Sequence, residues 1–285
     1  MFKQDLGIES SPSLTGYYNR PMLSYPDIDP VIFRIGPLAL RWYGLMYLLG
    51  FLAAYFLVRF QLREKGYQEL REHLDNIIFW GALGLIIGAR LGHVLFYFPD
   101  YYLKHPLEIL AIWHGGMSFH GGLLGVLIAG LIYARKHQLN FWFWADLFVV
   151  PAPIGLGLGR LGNFINGELY GRPTDVPWAM VFPKGGPIPR HPSQLYEALG
   201  EGLVLFLIMW FLRKKEWPCG FKFASFLVAY GSIRFFIEFF REPDAGVPLL
   251  FGWMTRGQQF CLLMVIAGLL LFWLKRREEK PCRPY

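Results

Sequence analysis

Arg234 and Glu238 stand four residues apart inside the apolar stretch 223–240, so they share one face of a helix, and Tyr230 and Arg241 extend the same stripe. A second arginine, Arg160, ends another apolar stretch and is followed by Asn163, Asn166 and Glu168. His120 lies in Met117-Ser-Phe-His-Gly-Gly-Leu123, where Gly121 and Gly122 allow close approach of other backbone. A charge at mid-bilayer costs at least ~2.5–3.5 kcal/mol, so such residues pair, face a wet cavity or do chemistry. Two arginines suit a phosphate-bearing anion: the guanidinium never loses its charge, and its planar fork matches phosphate oxygens bidentately. The same fork can stabilise a departing phosphate. A histidine with a pKa near ~6.5 can accept a proton at neutral pH. The plainer readings are a structural Arg–Glu pair for Arg234 with Glu238 and packed core histidines for His93 and His120.

Several familiar constellations are absent from the sequence. It holds no Gly-x-Ser-x-Gly elbow, no His-Glu-x-x-His, no Cys-x-x-Cys and no phosphate loop ending Gly-Lys-Ser/Thr, which leaves the nucleophile to the substrate. No metal and no organic cofactor are expected. Gly157-x-Gly159-x-x-Gly162 matches the dinucleotide fingerprint, but it ends an apolar stretch, and position 182, where an acid belongs, is Phe. Helix packing is the better reading of these glycines.

The elements that position these residues must cross a membrane. Of 285 residues, 54% are hydrophobic and only 17% charged, against about 25% charged in a soluble domain. Such a chain is an integral membrane protein rather than a disordered segment, a disulfide-stapled secreted domain or a nucleic-acid-binding module. Its net charge of +7 suits loops that face an anionic membrane surface. Seven stretches approach the roughly 20 residues a span requires: 37–58, 77–98, 117–134, 141–160, 195–212, 223–240 and 257–274. The expected fold is all-α, a polytopic membrane protein with seven transmembrane helices and a small external cap at 161–194, periplasmic if the resemblance given below holds. Residues 1–36 form a periplasmic N-terminal segment without an apolar run, hence without a cleavable signal peptide. Residues 37–274 form the catalytic transmembrane domain, and 275–285 a cytoplasmic tail.

Fifteen lysines and arginines fall in one set of connections, among them Arg59, Arg135, Arg213 and Lys275. The positive-inside rule then puts the N-terminus outside and the C-terminus in the cytoplasm. Cys219 and Cys282 face that reducing side and are expected as free thiols. This orientation brings Tyr43, His120, Arg160, Glu197 and Arg234 to the outer half of the membrane. Pro151 and Pro153 should kink the fourth span. Gly84, Gly88 and Gly92, with Gly155 and Gly159, offer faces for close helix packing. No internal repeat is visible, which counts against an inverted-repeat transporter.

Six motifs, in order, resemble one family. Asp29-Pro-Val-Ile-Phe33, Arg41-Trp-Tyr-Gly-Leu-Met46, Gly116-Met-Ser-Phe-His-Gly-Gly-Leu123, Gly159-Arg-Leu-Gly-Asn-Phe-Ile-Asn-Gly-Glu168, Arg190-His-Pro-Ser-Gln-Leu-Tyr-Glu197 and Arg234-Phe-Phe-Ile-Glu-Phe-Phe-Arg241 are similar to the bacterial phosphatidylglycerol–prolipoprotein diacylglyceryl transferases. The resemblance covers about Tyr25 to Leu274; residues 1–21 lie outside it, and Met22 is an alternative start. It implies an enzyme of the bacterial inner membrane, in lipoprotein biosynthesis. The enzyme moves diacylglyceryl from phosphatidylglycerol to the lipobox cysteine thiol of a prolipoprotein, giving a thioether and glycerol 1-phosphate. It assigns headgroup contact to Arg160 and essential roles to His120 and Arg234. Asn163, Glu168, Gly171, Tyr43, Tyr230 and Glu238 match further important positions. The partners implied are phosphatidylglycerol, a prolipoprotein signal peptide and membrane lipids, with no nucleic acid. Two rival readings are an intramembrane hydrolase using Ser118 with His120, and an anion transporter using Arg90, Arg160 and Arg234 as a relay.

Overall fold

The computed structural model describes residues 23–36, 38–111, 115–243, 249–276 and 282–285. The N-terminal segment through Met22, including the alternative start, lies outside them.

The first element is a hairpin. Strand β1 (Val31–Ile35) pairs antiparallel with β2 (Leu38–Arg41) around Gly36, whose φ of +57° favours glycine. The Asp29 carboxylate accepts from the Val31 amide at 2.8 Å, and the Trp42 amide donates to the Pro30 carbonyl at 3.1 Å. The backbone of 38–41 is thereby committed to a sheet ladder, so α1 runs Trp42–Glu64 and the first span does not begin at residue 37. This hairpin also corrects the all-α expectation: the protein is mostly helical, with one short two-stranded sheet.

Helix α2 (Arg71–Phe96) follows a single 3₁₀ turn, and α3 (Pro99–Lys104) is short. Then come α4 (Phe119–Lys136), α5 (Phe141–Phe148) and α6 (Ala152–Ile165). Helix α7 (Ser193–Glu197) passes through a π-helical stretch (Ala198–Val204) into α8 (Leu205–Leu212). Helices α9 (Phe221–Ile237) and α10 (Arg256–Lys275) complete the chain. Among the described residues, four helical stretches are long and apolar enough to cross a membrane: Trp42–Glu64, Gln68–Phe96, Ser193–Leu212 and Arg256–Lys275. The pair α5 and α6 makes a fifth, bent by 47°. The bend falls at Val149–Pro151, where proline removes a donor from the helix ladder, as the sequence led us to expect. Helix α4 ends on Arg135 and Lys136, and α9 has 17 residues, so neither meets that length and hydropathy on its own. The chain is a membrane protein.

It divides into two compact units, one comprising residues 23–50, 152–211 and 224–270, the other 51–151, 212–223 and 271–285. The second unit buries Val58, Leu62, Leu70, Leu74, Phe143 and Leu147 in one cluster. Buried Gln61 donates to the Leu147 carbonyl at 3.0 Å. The Asp146 carboxylate accepts from the Gly220 and Phe223 amides at 2.9 and 2.8 Å, satisfying orphan donors where α9 begins. Helices α2 and α4 touch backbone to backbone. A Cβ on Gly88 would strike the Gly121 carbonyl, and one on Gly125 the Gly84 carbonyl, so the predicted glycine face is a packing face. Gly125→Val should therefore cost about 1–3 kcal/mol through overpacking. The melting temperature of the detergent-solubilised protein should fall, whereas Gly81→Ala, which meets nothing within 4 Å, should not lower it.

Cys219 and Cys282 form a disulfide, which corrects the expectation of free thiols. The reason is spatial. The tail returns along the start of α5, where the Asn140 amide donates to the Pro284 carbonyl at 2.7 Å and brings the two sulfurs together. Cys261 is free and buried.

Candidate functional site

In the first unit, α6 reaches the π-helical stretch through Gly157, whose added Cβ would lie 2.9 Å from the Gly202 Cα. The contact with the π-helical stretch uses Gly157; a Cβ added at Gly155 or Gly159 would meet nothing within 4 Å, although the Gly155 Cα lies 3.2 Å from a Cβ built on Gly50 of α1. Close approach of these two backbones sets Arg160 of α6 beside two carboxylates. Its Nε lies 2.9 Å from Glu197 Oε2 and its Nη2 3.5 Å from Glu201 Oε2. Arg234 of α9 meets the same two acids from another side: its Nη1 is 2.5 Å from Glu197 Oε1 and 3.1 Å from Glu201 Oε1. Its Nη2 lies 2.7 Å from Glu238 Oε2, four residues on and just past the end of α9, so the expected i,i+4 pair is present.

Each of the acids Glu197 and Glu201 thus bridges both arginines, and neither has any exposure. With Arg241 3.9 Å from Glu238, three cations face three carboxylates. Near neutrality is what makes such burial tolerable, since an isolated buried charge is far more costly than a paired one. The Arg160 side chain retains 20% exposure against 7% for Arg234. Its Nε and Nη2 face inward, so the remaining Nη1 edge of the fork is the part directed away from the acids. Glu201 is absent from the sequence-derived set, and Glu197 appears there only by its depth in the membrane. The available signal was an acid pair at i and i+4 inside an apolar run, the same signature that identified Arg234 with Glu238.

Glu238 is held from a second side as well. Thr255 Oγ1 donates to its Oε1 at 2.9 Å, while the Thr255 amide donates to Gln258 Oε1 at 3.0 Å. Tyr230, one turn before Arg234, stacks on Phe226 with ring centroids 5.7 Å apart. Tyr43 at the start of α1 lies over Gly162, where an added Cβ would come within 2.7 Å of its ring. The Tyr43 hydroxyl is 3.4 Å from that of Tyr47.

Beyond α6 the chain turns back through Gly167, φ +61°. Asn163 and Asn166 both donate to Glu168 Oε1, at 3.0 and 3.1 Å. Buried Gln194 donates to the Glu168 carbonyl at 2.7 Å and buried Ser193 to the Leu169 carbonyl at 3.1 Å, tying this turn to α7. The Gly171 amide donates to the His191 carbonyl at 2.9 Å. An added Cβ on Gly171 would sit 2.5 Å from the Phe240 carbonyl, so the position demands glycine. Burial pushes the His191 imidazole below its ordinary pKa, which keeps it neutral at pH 7.

His120 belongs to the second unit, in the first turn of α4, and is exposed. Ser118 is the N-cap of that helix: its hydroxyl accepts from the Gly121 amide at 3.2 Å. That role occupies the hydroxyl that a Ser118/His120 hydrolase would need as nucleophile. Arg90, also of the second unit, is buried against main-chain carbonyls.

The family described as prolipoprotein diacylglyceryl transferase matches residues 30–274. The chain is 56% identical over 264 residues to the phosphatidylglycerol–prolipoprotein diacylglyceryl transferase of Nitrosomonas europaea, covering 91% of this chain and 95% of that one. It is 54% identical over 257 residues to the enzyme of the same name from Geobacter sulfurreducens, covering 90% and 99%. A Bordetella avium enzyme, again of that name, is 54% identical over 260 residues, covering 90% and 98%. A match over almost the whole of both chains, spanning every residue of the arginine–carboxylate cluster, places this protein in the prolipoprotein diacylglyceryl transferase family.

Proposed function

We propose that this enzyme transfers the diacylglyceryl group of phosphatidylglycerol to the lipobox cysteine thiol of a prolipoprotein. The observation that carries this reading is the clamp of Arg160 and Arg234 on Glu197 and Glu201, with the edge of one fork directed away from the acids. The clamp supplies two pre-oriented guanidinium groups, and a phosphodiester is the ligand their chemistry fits.

The thiol must ionise before it attacks, because the thiolate is the nucleophile and a free cysteine has a pKa near ~8.5. His120 is assigned the proton. The thiolate attacks the glyceryl carbon that bears the phosphate, a carbon–sulfur bond forms, and the carbon–oxygen bond breaks with its electrons going to phosphate. Glycerol 1-phosphate leaves. Arg160 holds the headgroup phosphate, and Arg234 adds positive charge where the leaving group gains negative charge. Asn163, Glu168, Gly171, Tyr43, Tyr230 and Glu238 shape and bind the headgroup. The test is an assay with phosphatidylglycerol and a lipobox peptide. A thioether product supports the reading, a cleaved peptide supports a Ser118/His120 hydrolase, and no product with intact protein refutes both.

The same proposal includes seven spans in the bacterial inner membrane, a periplasmic cap at 161–194, an outer N-terminus and a cytoplasmic C-terminus. A reporter active only in the periplasm, fused after residue 280, should give no signal; a strong one overturns the orientation.

A further inference from the structure

Arg90 of α2 is 4% exposed and spends every N–H donor of its guanidinium on main-chain carbonyls. Nε donates to Ile109 at 2.9 Å, Nη1 to Gly115 and, at 3.2 Å, to Gly116, and Nη2 to Glu108 and, at 3.2 Å, to Ala111. The Tyr102 ring lies beneath its Cζ at 5.2 Å. Gly115 and Gly116 have φ of +84° and +78°, a conformation that turns their carbonyls toward the arginine and that other residues rarely adopt. An added Cβ on Gly116 would strike the His93 ring at 2.6 Å, so the wall around this guanidinium is close-fitting. The chain then reaches Ser118, whose amide donates to the carbonyl of Ala89, the neighbour of Arg90, at 2.8 Å. Ser118 caps α4, and His120 is the second residue of that helix.

One side chain thus gathers five carbonyls of the segment entering α4, and the adjacent backbone carbonyl takes the capping residue. The arrangement fixes where α4 starts and which way its first turn faces. We propose that Arg90 is a positioning residue for the transfer reaction, setting the place of the His120 imidazole through its hold on Gly115 and Gly116 and through the adjacent Ala89–Ser118 bond. This rests on the assignment of the thiol proton to His120. It gives Arg90 a task that needs the shape of the guanidinium rather than its charge. Lysine keeps the charge but offers three donors from a single point, which cannot span carbonyls arrayed around a planar fork.

The experiment is Arg90→Lys in the full chain, purified in detergent. It is assayed with phosphatidylglycerol and a lipobox peptide, with the ¹³C-histidine NMR spectrum recorded in parallel and the His120 signal identified from His120→Gln. Misplacing a reacting group by about an ångström costs up to ~100-fold, so kcat should fall roughly 10- to 100-fold. KM for phosphatidylglycerol should stay within about twofold, since this effect is on the reacting geometry rather than on lipid affinity. The His120 resonance should shift or broaden. A purely structural role would lower the yield of folded protein and leave the kcat and the His120 signal of the surviving fraction unchanged. Wild-type kcat, or a lowered kcat with an unmoved His120 signal, overturns the positioning role. Normal turnover in His120→Gln instead removes the assignment on which it rests. If Arg90→Lys does not accumulate, Ser118→Ala keeps Arg90 and frees the first turn. It should lower kcat several-fold with the His120 signal displaced, and unchanged values for both overturn the proposal.

Discussion

Arg160→Lys should fold, reach the membrane at normal abundance and lose roughly 10- to 100-fold of its turnover at saturating phosphatidylglycerol. The Arg160 fork spans two acids at once, with Nε on Glu197 and Nη2 on Glu201. Lysine can still pair with one of them, which is why folding should survive. It cannot hold both while directing a further N–H at a phosphate oxygen in one orientation. Loss of one such charge-assisted bond costs about 1.5–3 kcal/mol. If that bond strengthens as phosphate leaves, the deficit appears in kcat as well as in lipid affinity. An arginine serving only as an interfacial anchor would tolerate lysine, whose long stem also carries its charge to the interface. Turnover close to wild type would therefore take Arg160 out of the headgroup role and leave that role to Arg234.

The largest loss of stability is expected for Glu197→Ala. Glu197 has no exposure and contacts both Arg160 and Arg234, so its removal leaves buried Arg234 and part-buried Arg160 sharing Glu201, with Glu238 on Arg234 alone. Removing one partner of a buried ion pair costs about 3–5 kcal/mol, chiefly because the other charge stays behind. Heating the detergent-solubilised protein should show a markedly lower melting temperature and little transfer activity. Glu197→Gln, which keeps a carbonyl acceptor but loses the charge, should fall between Glu197→Ala and wild type. Glu242→Ala is the internal control. Glu242 also pairs with an arginine, Arg190, at 3.0 Å, but it is 43% exposed, and such pairs contribute at most about 1 kcal/mol. Equal melting temperatures for the Glu197 and Glu242 variants would show that the cluster is not what holds α6, the π-helical stretch and α9 together.

Much of this was readable from the residues because it depends on local periodicity. Arg234 and Glu238 pair because four residues make about one helical turn. Helices α5 and α6 bend where Pro151 deprives the ladder of a donor. Gly84, Gly88 and Gly92 form a packing face because their spacing of four puts them on one side of α2, although only the fold shows that they meet Gly121 and Gly125 of α4. The apolar composition required a membrane. The clustered motifs around Arg160 and Arg234 pointed to a phosphate-bearing substrate because only arginine combines permanent charge with a flat two-pronged donor.

Tertiary structure decided what periodicity does not encode. A helical pattern says which residues share a face, not which face of which distant helix they will meet. Glu197 and Glu201 became bridges between two arginines only because Gly157 lets α6 approach Gly202 at backbone distance, across a separation of more than thirty residues from Arg234. Residues 38–41 read as the beginning of an apolar span, yet they became a strand because β1 offered a ladder partner. Arg90 looked like one more membrane-depth charge until the carbonyls of Glu108, Ile109, Ala111, Gly115 and Gly116 gathered around it. Cys219 met Cys282 because the tail returned to Asn140. Except for the β1–β2 hairpin, the partner lies far along the chain in each case. Burying a charge or an unpaired backbone group without such a partner is costly enough that the fold, rather than the local sequence, chose where each would go.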